Sequence, residues 1–291
     1  MGAAVIDLHS HTLESDGSWS PEHLVEMAVA LRLEALAITD HDTFSGYDLA
    51  LAPASAAGLD LVCGIEITSK LERRGKATIR NVHLLGYFFG QPPSPGFRVW
   101  LGKIQAGRRD RNRRLAAKLQ SLGLKVKLEE AEAFGRTLTG RPHFAKVLIN
   151  KGYASSVTEA FERYLDESAQ GYVPRHEPTF AEAAAMIAAS GGLAVLAHPY
   201  KLTRSGSEAL HMVIGELVDQ GIRGIEAYHS EHTSAEMEQF AAAAATFGLA
   251  ITGGSDFHGD AKPGVKLGSG KRGNIHVPRE VLDRLRNSTA R

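Results

Sequence analysis

The segment Asp7-Leu8-His9-Ser10-His11 sets two imidazoles two residues apart. On an extended strand, residues at that spacing face the same side, so His9 and His11 can offer two ring nitrogens to one ion. Comparable groups recur at Asp16, Asp40-His41-Asp42, Glu66, His83, His198-Pro199 and Ser255-Asp256-Phe257-His258. Six of the thirteen histidines fall at or near the ends of short apolar runs, where a chance scatter would put more of them on helices. Six imidazoles and three carboxylates exceed the roughly four to six positions around one ion, which implies two to three divalent cations. A carboxylate can bridge two cations and offset their repulsion, whereas a neutral imidazole normally binds one. Glu66, deep in an apolar run, is the expected bridge; its alternative is a buried carboxylate paired with a basic residue. Nitrogen and oxygen donors without sulfur suit manganese, iron or zinc, with manganese the first choice. Such a cluster lowers the pKa of bound water to about 7 and clamps the attacking and leaving oxygens of an in-line displacement. No nucleophile elbow, Walker loop or catalytic-cysteine signature offers another route.

These groups need a scaffold that gathers them. Apolar runs at 3–8, 35–39, 59–67, 193–197, 224–228 and 249–252 read as strands, and a further apolar segment carries His83. Helical segments are expected between them, at 21–32 after the N-cap Ser20, at 179–190 and at 207–220. Strands alternating with helices predict an α/β protein with a parallel sheet, and six or more such units suggest a barrel. The stretch 99–172 is mostly helical in pattern. It reads as a small helical insertion for substrate recognition, dividing the barrel into 1–98 and 173–291.

Composition limits the alternatives. The 33 basic and 33 acidic residues balance, so an anionic substrate must be held by local groups. A single cysteine, Cys63, excludes an internal disulfide scaffold and suits a reducing compartment. Residues 1–9 lack the features of a signal peptide, and no apolar stretch reaches about 18 residues. A cytoplasmic protein with no membrane association is the expectation.

Taken in order, Asp7-Leu8-His9-Ser10-His11-Thr12, Ser15-Asp16-Gly17, Ile38-Thr39-Asp40-His41-Asp42, Gly64-Ile65-Glu66, His198-Pro199 and Gly254-Ser255-Asp256-Phe257-His258-Gly259 resemble the polymerase and histidinol phosphatase (PHP) family. The resemblance runs over nearly the whole chain. It implies a distorted seven-stranded β/α barrel holding up to three divalent ions. It also implies that His9, His11, Glu66 and Asp256 bind the first ion, Asp16, His41 and His258 the second, and Glu66, His83 and His198 the third. Glu66 and Asp256 would thereby stand at the catalytic centre. Gly140-Arg141-Pro142-His143-Phe144-Ala145 and Gly171-Tyr172-Val173-Pro174 resemble the inserted segment of a stand-alone branch. That branch includes nucleoside-3′,5′-bisphosphate phosphatases and 5′-to-3′ exoribonucleases acting on short RNA. The implied reaction is removal of the 3′-phosphate from a nucleoside 3′,5′-bisphosphate by a metal-activated hydroxide. Its rivals are exoribonuclease action on a short oligoribonucleotide, hydrolysis of histidinol phosphate, and a non-catalytic, metal-stabilised binding module.

Several groups are candidates to hold the substrate. Pro142 suits the first helical turn, so Arg141 would sit at a helix N-terminus and grip a phosphate, with His143 donating a hydrogen bond. Arg175, Lys201 and Arg204 are candidates for a second phosphate. His229 ends an expected strand, and two roles are open to it: protonating the leaving oxygen or lining the mouth. The run Arg108-Arg109-Asp110-Arg111-Asn112-Arg113-Arg114 spreads its arginines round a helix without interleaved aromatics. It reads as a solvated face, and no extended nucleic-acid surface is expected.

Overall fold

A computed structural model describes residues 5–73, 75, 79–203 and 210–289. Ser20 accepts the His23 N–H at 3.2 Å and Pro21 starts a helix at once, so the first strand–helix unit is β1 (Ile6–Asp7) and α1 (Pro21–Ala30). The chain continues through β2 (Ala35–Ile38), α2 (Ser45–Ala57), β3 (Asp60–Leu71) and β4 (Ile79–Phe88). Five helical pieces follow: α3 (Pro95–Ser121), α4 (Leu128–Glu132), α5 (Arg141–Asn150), α6 (Val157–Ala160) and a π-helical turn at Phe161–Leu165. Thr179 then caps α7 (Phe180–Ala189), leading to β5 (Leu193–Leu196), α8 (Tyr200–Thr203), α9 (Leu210–Asp219), β6 (Gly224–His229), α10 (Ser234–Phe247) and β7 (Ala250–Gly254). A small ribbon of β8 (Val265–Lys266) and β9 (Gly270–Lys271) precedes α11 (Arg279–Thr289). Part of the expected first strand (3–4) and of the expected helix at 207–220 lies outside the described residues.

The seven strands form one sheet in the order β1 to β7. It is not wholly parallel, as the strand–helix alternation suggested. β4 runs antiparallel to both β3 and β5, while the other neighbours are parallel. The connection from Leu71 to Ile79 is shorter than the dozen or so residues that a parallel crossover requires, so the chain turns back as a hairpin. At the other end, β1 meets β7 through Leu8 N–H to Gly253 O (3.2 Å), Asp256 N–H to His9 O (2.8 Å) and His11 N–H to Phe257 O (2.8 Å). These bonds nearly close a barrel. Gly254 permits the approach, because a Cβ there would lie 2.3 Å from His9 N.

Ile6, Leu8, Val62, Leu85, Tyr87 and Val195 fill the barrel, and Val281, Leu282 and Leu285 of α11 close one end. Helices α7, α9 and α10 cover the outer faces of the strands, and α1 and α2 pack over β2. Helix α3 joins two cores. Phe97, Leu101 and Ile104 pack with the barrel's outer layer, whereas Leu115, Ala116 and Leu119 build a second core with Phe144, Val147, Leu148 and Leu165. Beginning at Pro95, ahead of the expected 99, this helix fixes the helical segment against the barrel.

Candidate active site

The loops after β1, β2 and β7 are shaped by buried carboxylates that serve the backbone. Asp7 accepts from Ser255 N (2.9 Å), Ser255 Oγ (2.5 Å), Gly268 N (2.7 Å) and His9 N (3.2 Å), tying β1 to the segments after β7. Asp40 accepts from Thr12 N (2.7 Å), Thr12 Oγ1 (2.6 Å) and Ser15 Oγ (2.6 Å), which bends the loop so that Asp16 reaches the cluster. Asp42 accepts from Thr68 N at 3.0 Å and pairs with Arg108, so it anchors α3 to the barrel. The triplet Asp40-His41-Asp42 therefore presents only His41 to the site.

Glu66 occupies the centre. Its Oε1 lies 2.7 Å from His83 Nδ1 and 2.9 Å from His198 Nε2. Its Oε2 lies 3.4 Å from His9 Nε2, 3.1 Å from His11 Nε2 and 3.3 Å from His41 Nδ1. Each carboxylate oxygen thus faces a different set of imidazoles, as a bridging ligand must. Asp16 lies 3.6 Å from His11 Nδ1, 3.7 Å from His41 Nε2 and 3.4 Å from His258 Nε2. Burial works against the charge of Asp16 and Glu66, but the surrounding histidines outweigh it and hold both carboxyls well below their usual range.

Potential ligand atoms within 4.8 Å of one another form the groups His11–Asp16–His41–His258, His9–His11–Asp256, His41–Glu66–His83 and His9–Glu226–His229. Mixed nitrogen and oxygen donors, mostly buried, fit divalent cations, and His41 Nδ1 is buried without a hydrogen-bond partner. Eight of the nine expected ligands fall in these groups; His198 is in none of them and meets the cluster through Glu66 Oε1 at 2.9 Å. His11 stands beside Asp16, His41 and His258 as well as beside His9 and Asp256, a wider role than the single ion expected for it. His83 is not at a strand end: it sits within β4 opposite Thr68, because β4 runs against its neighbours.

Glu226 was not among the expected residues. It is fully buried, accepts the Nδ1 hydrogen of His9 at 2.8 Å and accepts His198 N–H at 2.6 Å. That bond fixes the His9 tautomer and aims Nε2 into the cluster, as a carboxylate behind a ligand histidine does. Burial opposes a proton on His9, yet Glu226, Asp256 and Glu66 raise its pKa well above the usual imidazole value. Cation binding must therefore compete with protonation. The sequence carried a signal for Glu226, a charged residue inside the apolar run 224–228, as Glu66 is in its own run.

His229 lies behind Asp256, fully buried, and not at the mouth. Glu231 N–H donates to its Nδ1 at 3.0 Å, which leaves the ring hydrogen on Nε2, 3.3 Å from Asp256 Oδ2. His229 therefore orients Asp256.

Residues of the cluster line a cavity of about 570 Å³ that is also lined by basic side chains. Arg141, Arg175 and Lys201 line it, as expected; Arg204 lies outside the described residues. Arg141 donates to Asn81 Oδ1 (3.0 Å) and Leu165 O (3.2 Å), and Arg175 donates to Glu177 Oε1 (3.2 Å). His143 does not line the cavity. At the third position of α5 its side chain folds back to accept Gly140 N–H at 2.9 Å, and burial holds its pKa at about 4.

Arg108 and Arg111 also overturn an expectation. Both are buried and line the cavity instead of facing solvent. They continue the stripe Phe97, Leu101, Ile104, Arg108, Arg111, Leu115, which repeats every three or four residues along the packed face of α3. Two arginines on an otherwise apolar stripe were the legible signal. Arg111 Nε has no hydrogen-bond partner. Burial, and then the like charges of Arg108, Arg175 and Arg141, push its pKa well down. An anion would relieve that strain.

Comparison with known proteins points the same way. The PHP domain family matches residues 7–194. A 3′,5′-nucleoside bisphosphate phosphatase of Chromobacterium violaceum is 31% identical over 267 residues, 91% of each chain. A 5′-3′ exoribonuclease of Escherichia coli is 35% identical over 274 residues, 91% of this chain and 89% of its own. Among solved structures, a protein of Bifidobacterium adolescentis assigned as a metal-dependent phosphoesterase superposes with a TM-score of 0.81 at 28% identity, covering 97% of this chain and 96% of its own. An amidohydrolase from Chromobacterium violaceum, solved with sulfate and no metal, gives a TM-score of 0.78 at 30% identity over 97% of each chain.

Proposed function

This chain belongs to the PHP domain family and is a metal-dependent phosphoesterase, and from that premise we propose that it removes the 3′-phosphate from nucleoside 3′,5′-bisphosphates. The observation that carries the choice of substrate is the set of arginines and lysines lining the same cavity as the ligand cluster, among them Arg111, whose buried Nε has no hydrogen-bond partner. A substrate with one phosphate at the cluster and a second against the arginines uses both sets of groups. A buried guanidinium without an anion costs free energy, so a second phosphate is the natural complement.

Two to three divalent ions, manganese first, would be held by His9, His11, Asp16, His41, Glu66, His83, His198, Asp256 and His258, and would supply activated water and charge neutralisation. The chain's other residues do the positioning. Glu226 orients His9, and His229 orients Asp256. Arg111, Arg141 and Arg175 receive the phosphate that is not cleaved, while Lys201, 3.4 Å from His198 Nε2, is placed to meet the reacting one. Residues 99–172 act as the recognition unit between barrel parts 1–98 and 173–291. The buried Cys63 suits a reducing, cytoplasmic setting. No helix among the described residues is long and apolar enough to cross a membrane.

Exoribonuclease action is the second reading, supported by the likeness to the Escherichia coli enzyme. Histidinol phosphate fits less well, because its amine would face the basic side chains. A panel of nucleoside 3′,5′-bisphosphates, 3′- and 5′-monophosphates and 5′-phosphorylated oligoribonucleotides separates these readings. The expected result is inorganic phosphate and a nucleoside 5′-monophosphate from the bisphosphate, with weaker action on monophosphates. Shortening of oligoribonucleotides without phosphate release from bisphosphates would replace the first reading with the second.

A further inference from the structure

Asp256 stands in the loop after β7 with φ +55°, a left-handed backbone that few residues other than glycine adopt. Its two carboxylate oxygens have different partners. Oδ1 faces His9 Nε2 and His11 Nε2, each at 3.5 Å, and His258 Nδ1 at 3.4 Å. Oδ2 faces Lys262 Nζ at 2.6 Å and His229 Nε2 at 3.3 Å. Both partners of Oδ2 are donors, and one of them is a cation. Lys262 reaches in from beyond the short turn Gly259–Ala261, with its side chain only 28% exposed. The carboxylates Asp16 and Glu66 pair with histidines instead.

We propose that Lys262 makes the His9–His11–Asp256 group the weakly holding, exchangeable ion position of the cluster. It acts as a positioning residue in two ways. By occupying Oδ2 it restricts Asp256 to coordination through one oxygen, where a free carboxylate can use both. Its ammonium also sets a fixed positive charge beside this group, which repels a divalent ion across a partly buried space. The inference rests on the metal-dependent reading of the cluster and is independent of the choice of substrate.

The test compares wild type, Lys262→Met and Lys262→Arg, each loaded with Mn²⁺, dialysed against metal-free buffer and analysed for manganese per chain. Methionine keeps most of the apolar stem, and circular dichroism reports whether the fold is retained. Lys262→Met is expected to retain one more ion per chain than wild type, and its weakest dissociation constant, from calorimetric Mn²⁺ titration, is expected to tighten at least roughly tenfold. Lys262→Arg keeps the charge and is expected to behave as wild type. Adding Asp256→Asn to Lys262→Met is expected to remove the extra ion. Equal retention and equal affinity in wild type and Lys262→Met would overturn the proposal, as would a gained ion that survives Asp256→Asn. A wild type that takes up no manganese would overturn the metal reading along with it, so the two failures are distinguishable.

Discussion

Glu226 Oε1 accepts the Nδ1 hydrogen of His9 at 2.8 Å, and its other oxygen accepts His198 N–H at 2.6 Å. One buried carboxylate on β6 thus sets the ring of one expected ligand and the backbone of another, with β7 between it and β1. Outer partners of this kind are worth roughly 10- to 100-fold in metal affinity or activity. Glu226→Gln keeps the shape and removes the charge. It is expected to bind Mn²⁺ at least roughly tenfold more weakly in a calorimetric titration and to lose turnover in proportion. Unchanged affinity would show that His9 needs no orienting carboxylate.

His143 and His232 are both buried, and burial holds each imidazole at about 4 instead of its usual 6.5. In the unfolded chain they take up protons below about pH 6.5, while the native state resists until about pH 4. Their contribution to stability is therefore complete above pH 6.5 and falls away as the pH drops toward 4. Each amounts to at most about 3 kcal/mol over that window. Urea denaturation at pH 7 and pH 5 should show this fall. In His143→Gln, which retains an acceptor for Gly140 N–H, the loss between the two pH values is expected to be smaller. An identical fall in the variant would remove His143 from the linkage.

Most residues of the candidate cluster were legible because they break a local rule: a histidine or carboxylate interrupts or ends an apolar run, as at His9, Glu66 and His198, whereas Asp16 lies in a polar loop. Strand and helix locations followed from periodicity and caps for the same reason, with Ser20–Pro21 and Thr179 the clearest. Three things were not legible. The reversal of β4 depends on the length of the 72–78 connection, which apolar patterning does not report. His143 turns away from the cavity because a side chain at the third helical position can reach back to the N-cap amide, a choice made by local geometry. Lys262 follows a loop with no period, so nothing in its neighbourhood marks it as a partner of Asp256. Arg108 and Arg111 were a different kind of miss. Their spacing from Ile104 and Leu115 is in the sequence, but a charged run invites assignment to solvent before its register is counted.

Bound ions would supply the activated water, and no side chain among the described residues is placed as a covalent nucleophile, so one in-line displacement is expected. A substrate made chiral at the reacting phosphorus should give inverted product. Retention, or a trapped phosphoenzyme, would require two displacements and a nucleophilic residue.

Arg141 and Arg111 differ in how they are held, and this separates their expected effects. Arg141 already donates to Asn81 Oδ1 and Leu165 O, and Asn81 itself adopts φ +54° within β4 and donates to Glu167 Oε1. Arg111 has no such tether at Nε and is crowded by like charges. Removing Arg141 takes away a preorganised contact, worth about 1.5–3 kcal/mol for a charge-assisted bond, or roughly 10- to 150-fold in kcat/KM on a bisphosphate. Arg141→Lys keeps the charge but not the fork, so it should recover only part of the loss. Removing Arg111 takes away the same class of contact but also relieves native-state repulsion. Arg111→Met is therefore expected to lose a comparable factor in kcat/KM while melting at a higher temperature than wild type. Both variants should keep their bound metal, and both should lose preference for bisphosphates over 3′-monophosphates. A variant that loses activity on both substrates equally would place the residue in the reaction itself and not in recognition of the second phosphate.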